Sequence, residues 1–130
     1  MNIIWKRGSK IDESLIKEAE TLFGISLPND YKRIIVDNNN ARPSVSTFDT
    51  ESSSQHVFKK FPSFKKEDVE TVYKAKKVLS EFDNSLFPFA NDPAGNYICF
   101  KGNAVVYWLH ETNAVLKVAN NFAEFIEKLY

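Results

Sequence analysis

The chain is poor in the residues that build disulfide scaffolds, multi-cysteine metal sites and glycine-rich loops. It has one cysteine, Cys99, in 130 residues, which excludes an internal disulfide and any multi-cysteine zinc or iron–sulfur site. Its four glycines are too few for a collagen-like repeat, a flexible Gly-rich linker or an elaborate phosphate-binding loop. The G-x-S-x-G, Walker and G-x-G-x-x-G motifs are absent. No cofactor is therefore expected.

The chain also lacks an excess of charge of either sign and a long apolar run. Lys and Arg number 17, and Asp and Glu also number 17, so no overall field draws the chain to nucleic acid or an anionic membrane. No segment approaches the roughly 18 apolar residues of a membrane span. The apolar run Ile3–Trp5 is shorter than the about 7–15 residues of a signal-peptide core. These features predict a cytoplasmic protein with no membrane partner and a reduced Cys99.

What the chain does contain is typical of a globular protein. Hydrophobic residues make up 43% and charged residues 26%, and 11 phenylalanines supply bulky material for a core. The length fits one domain spanning residues 1–130. No internal repeat or interdomain linker interrupts it.

Helical periodicity marks the N-terminal part of the chain. It predicts a helix from about Asp12 to Phe23, with Asp12 as N-cap and Gly24 as the left-handed residue after the last turn. Its inner positions are Ile11, Leu15, Ala19, Leu22 and Phe23. A second helix begins at Pro28 or Asn29 and ends in the Asn-rich segment 37–40. Its inner stripe is formed by Tyr31, Ile34 and Ile35, with Asn38 as a further candidate.

The middle of the chain gives weaker patterns. We expect one weak strand near Ser44–Asp49, a mobile loop at Glu51–Gln55 and a short strand at His56–Phe58. A third helix is predicted from about Lys66 to Phe82. Its inner residues are Val72, Ala75, Leu79 and Phe82, and its outer residues are Lys74, Lys76 and Lys77.

The C-terminal third predicts a three-stranded meander followed by a helix. The strands are Asn96–Phe100, Ala104–Leu109 and Ala114–Val118, and the apolar central one should be covered on both faces. Asn120 or Asn121 caps a helix whose inner residues are Phe122, Phe125, Ile126 and Leu129. The fold class is α+β, an antiparallel meander packed by N-terminal, middle and C-terminal helices.

Three segments resemble motifs of the SUKH superfamily, in the same order and spacing over about residues 11–130. They are Gly24–Tyr31 (GISLPNDY), Phe87–Phe100 (FPFANDPAGNYICF) and Val118–Ile126 (VANNFAEFI). The motif positions, which are mainly structural, are Leu27, Pro28, Tyr31, Phe89, Gly95, Asn96, Phe122 and Phe125. The chain departs from the family in having Asn38-Asn39-Asn40-Ala41 where Asn-Gly-Gly is usual, and Lys101 where an acid is frequent.

This resemblance implies a SUKH-like fold and a protein that binds rather than catalyses. Many bacterial members are immunity proteins that neutralise secreted polymorphic toxins, often nucleases, whereas fungal members regulate cell-wall synthesis. We therefore expect an immunity protein whose partner is a cognate protein toxin. The alternative is a regulatory protein-interaction module in cell-envelope or signalling assemblies. Whether the chain is a monomer or a weak dimer stays open.

Candidates for chemistry are few. His110 and Glu111 could form an acid–base pair, but adjacent residues in a turn usually point apart. His56 and His110 are too far apart in sequence for a metal-binding motif, so no metal is expected. Cys99 alternates with apolar neighbours and is expected to be a buried, inert residue.

The distribution of charge offers two alternative binding surfaces. Residues 59–77 contain seven lysines against three acids, a net charge of +4, and the remainder of the chain carries −4. The basic segment could bind nucleic acid, but such a helix is more often a solvated surface. Loop acids could instead meet a basic toxin: these are Asp37, Asp49, Glu51, Asp92 and Glu111. For Asp92 the competing interpretation is a carboxylate that stabilises its own turn.

Overall fold

A computed structural model describes residues 3–130 of the chain. In these residues, the elements in chain order are β1 (Trp5–Lys6), α1 (Glu13–Phe23), α2 (Asn29–Ile35), β2 (Arg42–Pro43), β3 (Thr47–Phe48), β4 (His56–Val57), α3 (Val72–Ser80), β5 (Leu86–Asn91), β6 (Tyr97–Lys101), β7 (Ala104–Trp108), β8 (Val115–Ala119) and α4 (Phe122–Glu127). Helices and an antiparallel sheet confirm the α+β class. None of these helices has the length and apolar character that a membrane span requires.

The principal sheet has four antiparallel strands in the order β5-β6-β7-β8. The three predicted strands are confirmed as β6, β7 and β8, with ends shifted by one residue. Strand β5 was not predicted, because all its residues are buried and Leu-Phe-Pro-Phe-Ala-Asn shows no alternation of apolar and polar residues. Pro88 is compatible with this strand because β5 lies at a sheet edge, where its ladder carries a bulge between Pro88 and Ala90.

Both faces of β7 are covered, as its apolar sequence predicts. Val105 and Tyr107 belong to the larger core, which also holds aromatic residues of α2 and α4. Val106 and Trp108 join a smaller cluster that contains Leu79 of α3. The sheet is therefore the middle layer, with α3 on one side and the main aromatic core on the other.

Tyr31 and Phe89 lie at the centre of the aromatic core. Tyr31 makes edge-to-face contacts with Phe61, Phe89, Phe100 and Phe122, at ring-centroid distances of 5.2–5.9 Å. Phe89 stacks on Phe100 at 4.2 Å. The predicted inner residues of α4 are confirmed, because Phe122, Phe125 and Leu129 are buried and Ile126 packs against the core. Asn121 is its N-cap and accepts a hydrogen bond from Glu124 N at 2.8 Å.

The predicted ends of α1 are confirmed. The Asp12 carboxylate accepts from Ser14 N at 2.8 Å, and Gly24 adopts the left-handed conformation with φ 65°. The placement of Leu22 inside is wrong, since its side chain is 62% exposed. The buried stripe contains Ile16 and Ala19 and continues to Phe23, which places Leu22 off that face.

Helix α3 begins later than its sequence pattern predicts. Thr71 is the N-cap, with Oγ1 accepting from Lys74 N at 3.1 Å, while residues 66–70 form a turn followed by a bend. Phe82 lies beyond the helix end and is 42% exposed, so its placement inside is also wrong. Lys76 was expected outside but is only 5% exposed. Its ammonium donates to the carbonyls of Asn84 and Leu86 at 2.6 and 2.8 Å.

Two small antiparallel sheets complete the fold, β1 with β2 and β3 with β4. The weak strand predicted near residues 44–49 is reduced to Thr47–Phe48, and the short strand at His56 is confirmed. Strands β1 and β2 were not predicted, because each has only two residues and becomes a strand only by pairing with a distant segment of the chain. Tyr130 extends the β3–β4 ladder through two backbone hydrogen bonds with Thr47, both 2.9 Å long.

Candidate functional site

Asp92 lies in the turn between β5 and β6, where its carboxylate holds the loop together. Oδ1 accepts from the backbone N–H groups of Ala94 and Asn96 at 2.9 and 2.8 Å. Oδ2 accepts from Asn96 Nδ2 at 2.9 Å and from the Tyr107 hydroxyl. Burial, together with this bond, raises the pKa of Tyr107. Asp92 is only 7% exposed, so the expectation of an exposed acidic contact is corrected and its role in the turn is confirmed.

Asp49 and Glu51 line one hollow of about 300 Å³, together with Lys128 and Tyr130. Asp49 Oδ1 accepts from the Tyr130 hydroxyl at 2.6 Å and from Gln55 N at 3.0 Å. The hydrogen bond from Tyr130 is the main cause that lowers the pKa of Asp49. Glu51 is exposed, and its backbone N–H bonds the Lys117 carbonyl of β8 at 3.0 Å. The hollow thus places an exposed acid beside the edge of the principal sheet.

Glu111 and Asp37 lie on other parts of the surface. Glu111 is exposed in the β7–β8 hairpin, next to His110, whose backbone N–H donates to Asn96 Oδ1 at 3.0 Å. Asp37 follows α2 and lines a groove between α1 and α2 of about 630 Å³. The structure therefore does not gather the five predicted acids into one site. Four of them are exposed at three separate places.

The basic segment 59–77 is largely engaged within the molecule. Lys59 and Lys60 lie 3.6 and 4.0 Å from Glu70, and Lys66 lies 3.2 Å from Glu18. Burial lowers the pKa of Lys60 and of Lys76. Ion pairs or burial thus engage four of the seven lysines of this segment, namely Lys59, Lys60, Lys66 and Lys76.

A contact between Ser53 and His56 was not foreseen from the sequence. Ser53 Oγ lies 2.8 Å from His56 Nε2 and 2.7 Å from Thr50 Oγ1. The His56 ring packs on Tyr107 with centroids 4.7 Å apart. These contacts fasten the loop 50–56 to the sheet. The Ser-rich segment carries no signal for the second contact, because the packing of the His56 ring depends on Tyr107, about fifty residues later.

Potential reactive and metal-binding groups have simple environments. Cys99 is fully buried, as predicted, and burial raises its pKa. Within residues 3–130, no three side chains of His, Cys, Asp or Glu lie close enough together to hold a metal ion.

The motif residues that carry the family resemblance occupy structural positions. Leu27, Tyr31, Phe89, Phe122 and Phe125 are buried. Gly95 has φ 90°, which favours glycine, and Pro28 directly precedes α2. Asn96 joins the Asp92 turn to the next hairpin.

Comparison with protein-family models identifies the family of the chain. No curated protein matches the chain. The model of the SUKH_6 family, described as SMI1-KNR4 cell-wall, matches residues 13–126. That match includes all four helices nearly completely, the principal sheet and each motif position named above. The chain therefore belongs to the SUKH_6 (SMI1-KNR4) family.

Proposed function

We propose that this protein is a non-enzymatic immunity protein, a single domain that binds one cognate protein toxin in the cytoplasm and blocks its activity. The observation that carries the proposal is membership of the SUKH_6 family over residues 13–126. The side chains with reactive potential also have structural environments: Cys99 is buried, and Ser53 and His56 fasten a loop. Neutralisation by binding requires only a rigid surface of matching shape and charge.

Exposed acids support a basic toxin as the partner. Asp37, Asp49, Glu51 and Glu111 are exposed on the surface. Asp49 is engaged by Tyr130 and Gln55, which leaves Asp37, Glu51 and Glu111 as the acids best suited to a partner. Nucleases bind phosphate with basic clefts, so exposed carboxylates would steer such a toxin and raise the association rate.

The experiment for this proposal is co-expression with each toxin domain encoded beside the gene. We expect rescue of growth and a complex of defined stoichiometry. Failure to rescue cells from any of these toxins would reject the immunity role. The purified protein should show no hydrolase, transferase or nuclease turnover; a turnover abolished by His110→Ala in a folded protein would also reject it.

The acidic contacts are tested separately by charge reversal. Glu51→Lys and Glu111→Lys should slow association with the toxin and weaken its dependence on salt, with little effect on folding. Glu81→Lys is the matched control, because Glu81 is an exposed acid at the end of α3, toward the opposite end of the sheet from the β7–β8 hairpin. Association unaffected by both test variants would reject the acidic contacts while leaving the immunity role intact.

A second candidate is a regulatory interaction module of cell-envelope assemblies. The description of the family as cell-wall proteins favours it. This function predicts a host partner that co-purifies with the protein in cells that lack every neighbouring toxin gene.

A further inference from the structure

The two edges of the principal sheet differ in how many of their backbone hydrogen-bonding groups remain open. The strand order places β5 at one edge and β8 at the other. An antiparallel edge strand bonds its neighbour through every second residue and presents the N–H and C=O groups of the intervening residues outward. These outward groups can pair with a further extended segment, so proteins usually cover or block them.

Most outward groups of β5 are engaged or blocked. Leu86 O accepts from the Lys76 ammonium at 2.8 Å, and Leu86 N bonds a carbonyl three residues earlier at 3.2 Å. Pro88 has no N–H group. Asn91 bonds residues 59–60 through its N–H and its carbonyl, at 3.1 and 2.8 Å. This edge therefore offers little to a further strand.

The register of β8 turns Val115 and Lys117 toward the outer edge of the sheet. Leu109 N donates to Ala114 O at 3.0 Å, so the backbone of Ala114 faces β7. Leu116, two residues later, also pairs with β7. Because successive residues of a strand present their backbone groups to opposite sides, those of Val115 and Lys117 point away from β7.

Three of the four outward backbone groups of Val115 and Lys117 are free. Glu51 N donates to Lys117 O at 3.0 Å, which independently shows that this residue faces outward. Val115 N, Val115 O and Lys117 N have no hydrogen-bond partner among residues 3–130. A row of free donors and acceptors on an extended strand is the surface to which a peptide segment adds as a new strand.

The charges at this edge favour a segment of another protein over a second copy of this chain. Lys117 is exposed, and a second copy would bring its own Lys117 to the same short edge, where like charges destabilise pairing. Glu51, which is bonded to the edge, and Glu111, in the turn before β8, are exposed acids. A basic segment therefore has the complementary charge.

We propose that the outer edge of β8 binds an extended, basic segment of the partner protein as a fifth strand of the principal sheet. The segment donates to Val115 O and accepts from Val115 N and Lys117 N. Its lysine or arginine side chains lie near Glu51 and Glu111. The inference rests on the proposed binding function and identifies the surface and the chemistry of its partner.

The experiment uses three synthetic peptides as probes of the isotope-labelled full-length protein. The first alternates threonine and valine and has a lysine at each end, the second has glutamates in place of the lysines, and the third is the lysine peptide with N-methylated threonine and valine amides. In NMR titrations up to about 1 mM, the lysine peptide should shift the amide resonances of Val115 and Lys117 and bind about threefold more tightly than the glutamate peptide. The N-methylated peptide cannot donate to Val115 O and should cause no such shifts.

Variants of the edge test the same contacts from the protein side. Val115→Pro removes an outward N–H group and should weaken the lysine peptide about fivefold, whereas Val115→Thr, which keeps that group, should bind like wild type. The thermal midpoint of Val115→Pro should stay close to that of wild type, because Val115 N makes no bond in the fold and edge strands tolerate proline. Glu51→Lys should remove the preference for the lysine peptide, and Glu81→Lys should retain it.

Amide hydrogen exchange separates this pairing from pairing with a second copy. In the free protein the amides of Val115 and Lys117 should exchange fast and that of Leu116 slowly, and the lysine peptide should slow the first two. Protection of Val115 and Lys117 in the free protein that increases with protein concentration would show self-pairing and overturn the inference.

Two further results would overturn it: equal binding of the lysine peptide and its N-methylated form, and unchanged resonances of Val115 and Lys117. The N-methylated peptide decides the matter even where Val115→Pro does not fold. Failure of the inference is distinguishable from failure of the immunity role. A toxin neutralised equally well by the wild type and a folded Val115→Pro would reject the edge alone, and peptide pairing without rescue from any toxin would reject the immunity role alone.

Discussion

Replacing Asp92 with Asn tests whether a buried carboxylate, rather than the turn sequence alone, holds the β5–β6 hairpin. In the native protein both carboxylate oxygens accept hydrogen bonds, from two backbone N–H groups, from Asn96 Nδ2 and from Tyr107. The Asn side chain keeps one of the two side-chain oxygens, but this oxygen accepts hydrogen bonds without a negative charge. It also turns an NH₂ group toward Asn96 Nδ2, which is a donor and cannot accept.

The free energy of unfolding should fall by about 2–4 kcal/mol in this variant. Bonds to a charged group contribute about 1.5–3 kcal/mol against about 1 kcal/mol for neutral ones, and an unsatisfied buried donor costs about 1–3 kcal/mol. Urea unfolding followed by tryptophan fluorescence measures the change. Glu111→Gln, the same chemical change in an exposed side chain, should stay within about 0.5 kcal/mol of wild type. An Asp92→Asn variant as stable as this control would refute the reasoning.

Three further predictions concern the core and the buried lysine. Phe125→Ala should lower the unfolding free energy by about 3–5 kcal/mol, because Phe125 is fully buried. Phe82→Ala, at a half-exposed site, should lower it by less than about 1.5 kcal/mol. Equal losses in the two variants would contradict the assigned core. Tyr31→Phe should raise the free energy of unfolding by about 1 kcal/mol, because the Tyr31 hydroxyl is buried without a hydrogen-bond partner among residues 3–130. If thermal unfolding instead shows stability lowered by about 1 kcal/mol, the hydroxyl is needed for the fold. Burial lowers the pKa of the Lys76 ammonium below 10.5 in the folded protein. Between that lowered pKa and about 10.5, the unfolded chain therefore binds more protons than the folded protein. Over this pH range the wild type should gain stability relative to Lys76→Met as the pH rises. A flat difference between the two proteins over that range in urea titrations would contradict the lowered pKa of Lys76 in the folded protein.

Local patterns in the sequence determined the ends of α1, the start of α4 and the meander. An N-cap acid at Asp12, a left-handed residue at Gly24 and the i, i+3, i+7 stripe of α4 depend on residues within a few positions of one another. These interactions are the same in any tertiary context, so they can be read from the chain. The family motifs likewise lie at buried or turn positions.

Tertiary structure decided the burial of Lys76 and the existence of β5. The ammonium of Lys76 is satisfied by carbonyls that lie beyond the end of its own helix. Helical periodicity carries no information about such acceptors, so a lysine beside two others was assigned to the surface. Strand β5 is buried on both faces and gives no alternation, and it becomes a strand only through pairing with β6.

For the candidate binding surfaces too, the sequence determined one part and the tertiary structure another. The sequence identified the acids in loops, but a loop position does not determine whether a carboxylate faces solvent or its own backbone. Tyr107, fifteen residues away, completes the site that buries Asp92, whereas Glu111 remains exposed. Local sequence determines which charges a helix carries, and packing between distant segments determines which charges they meet.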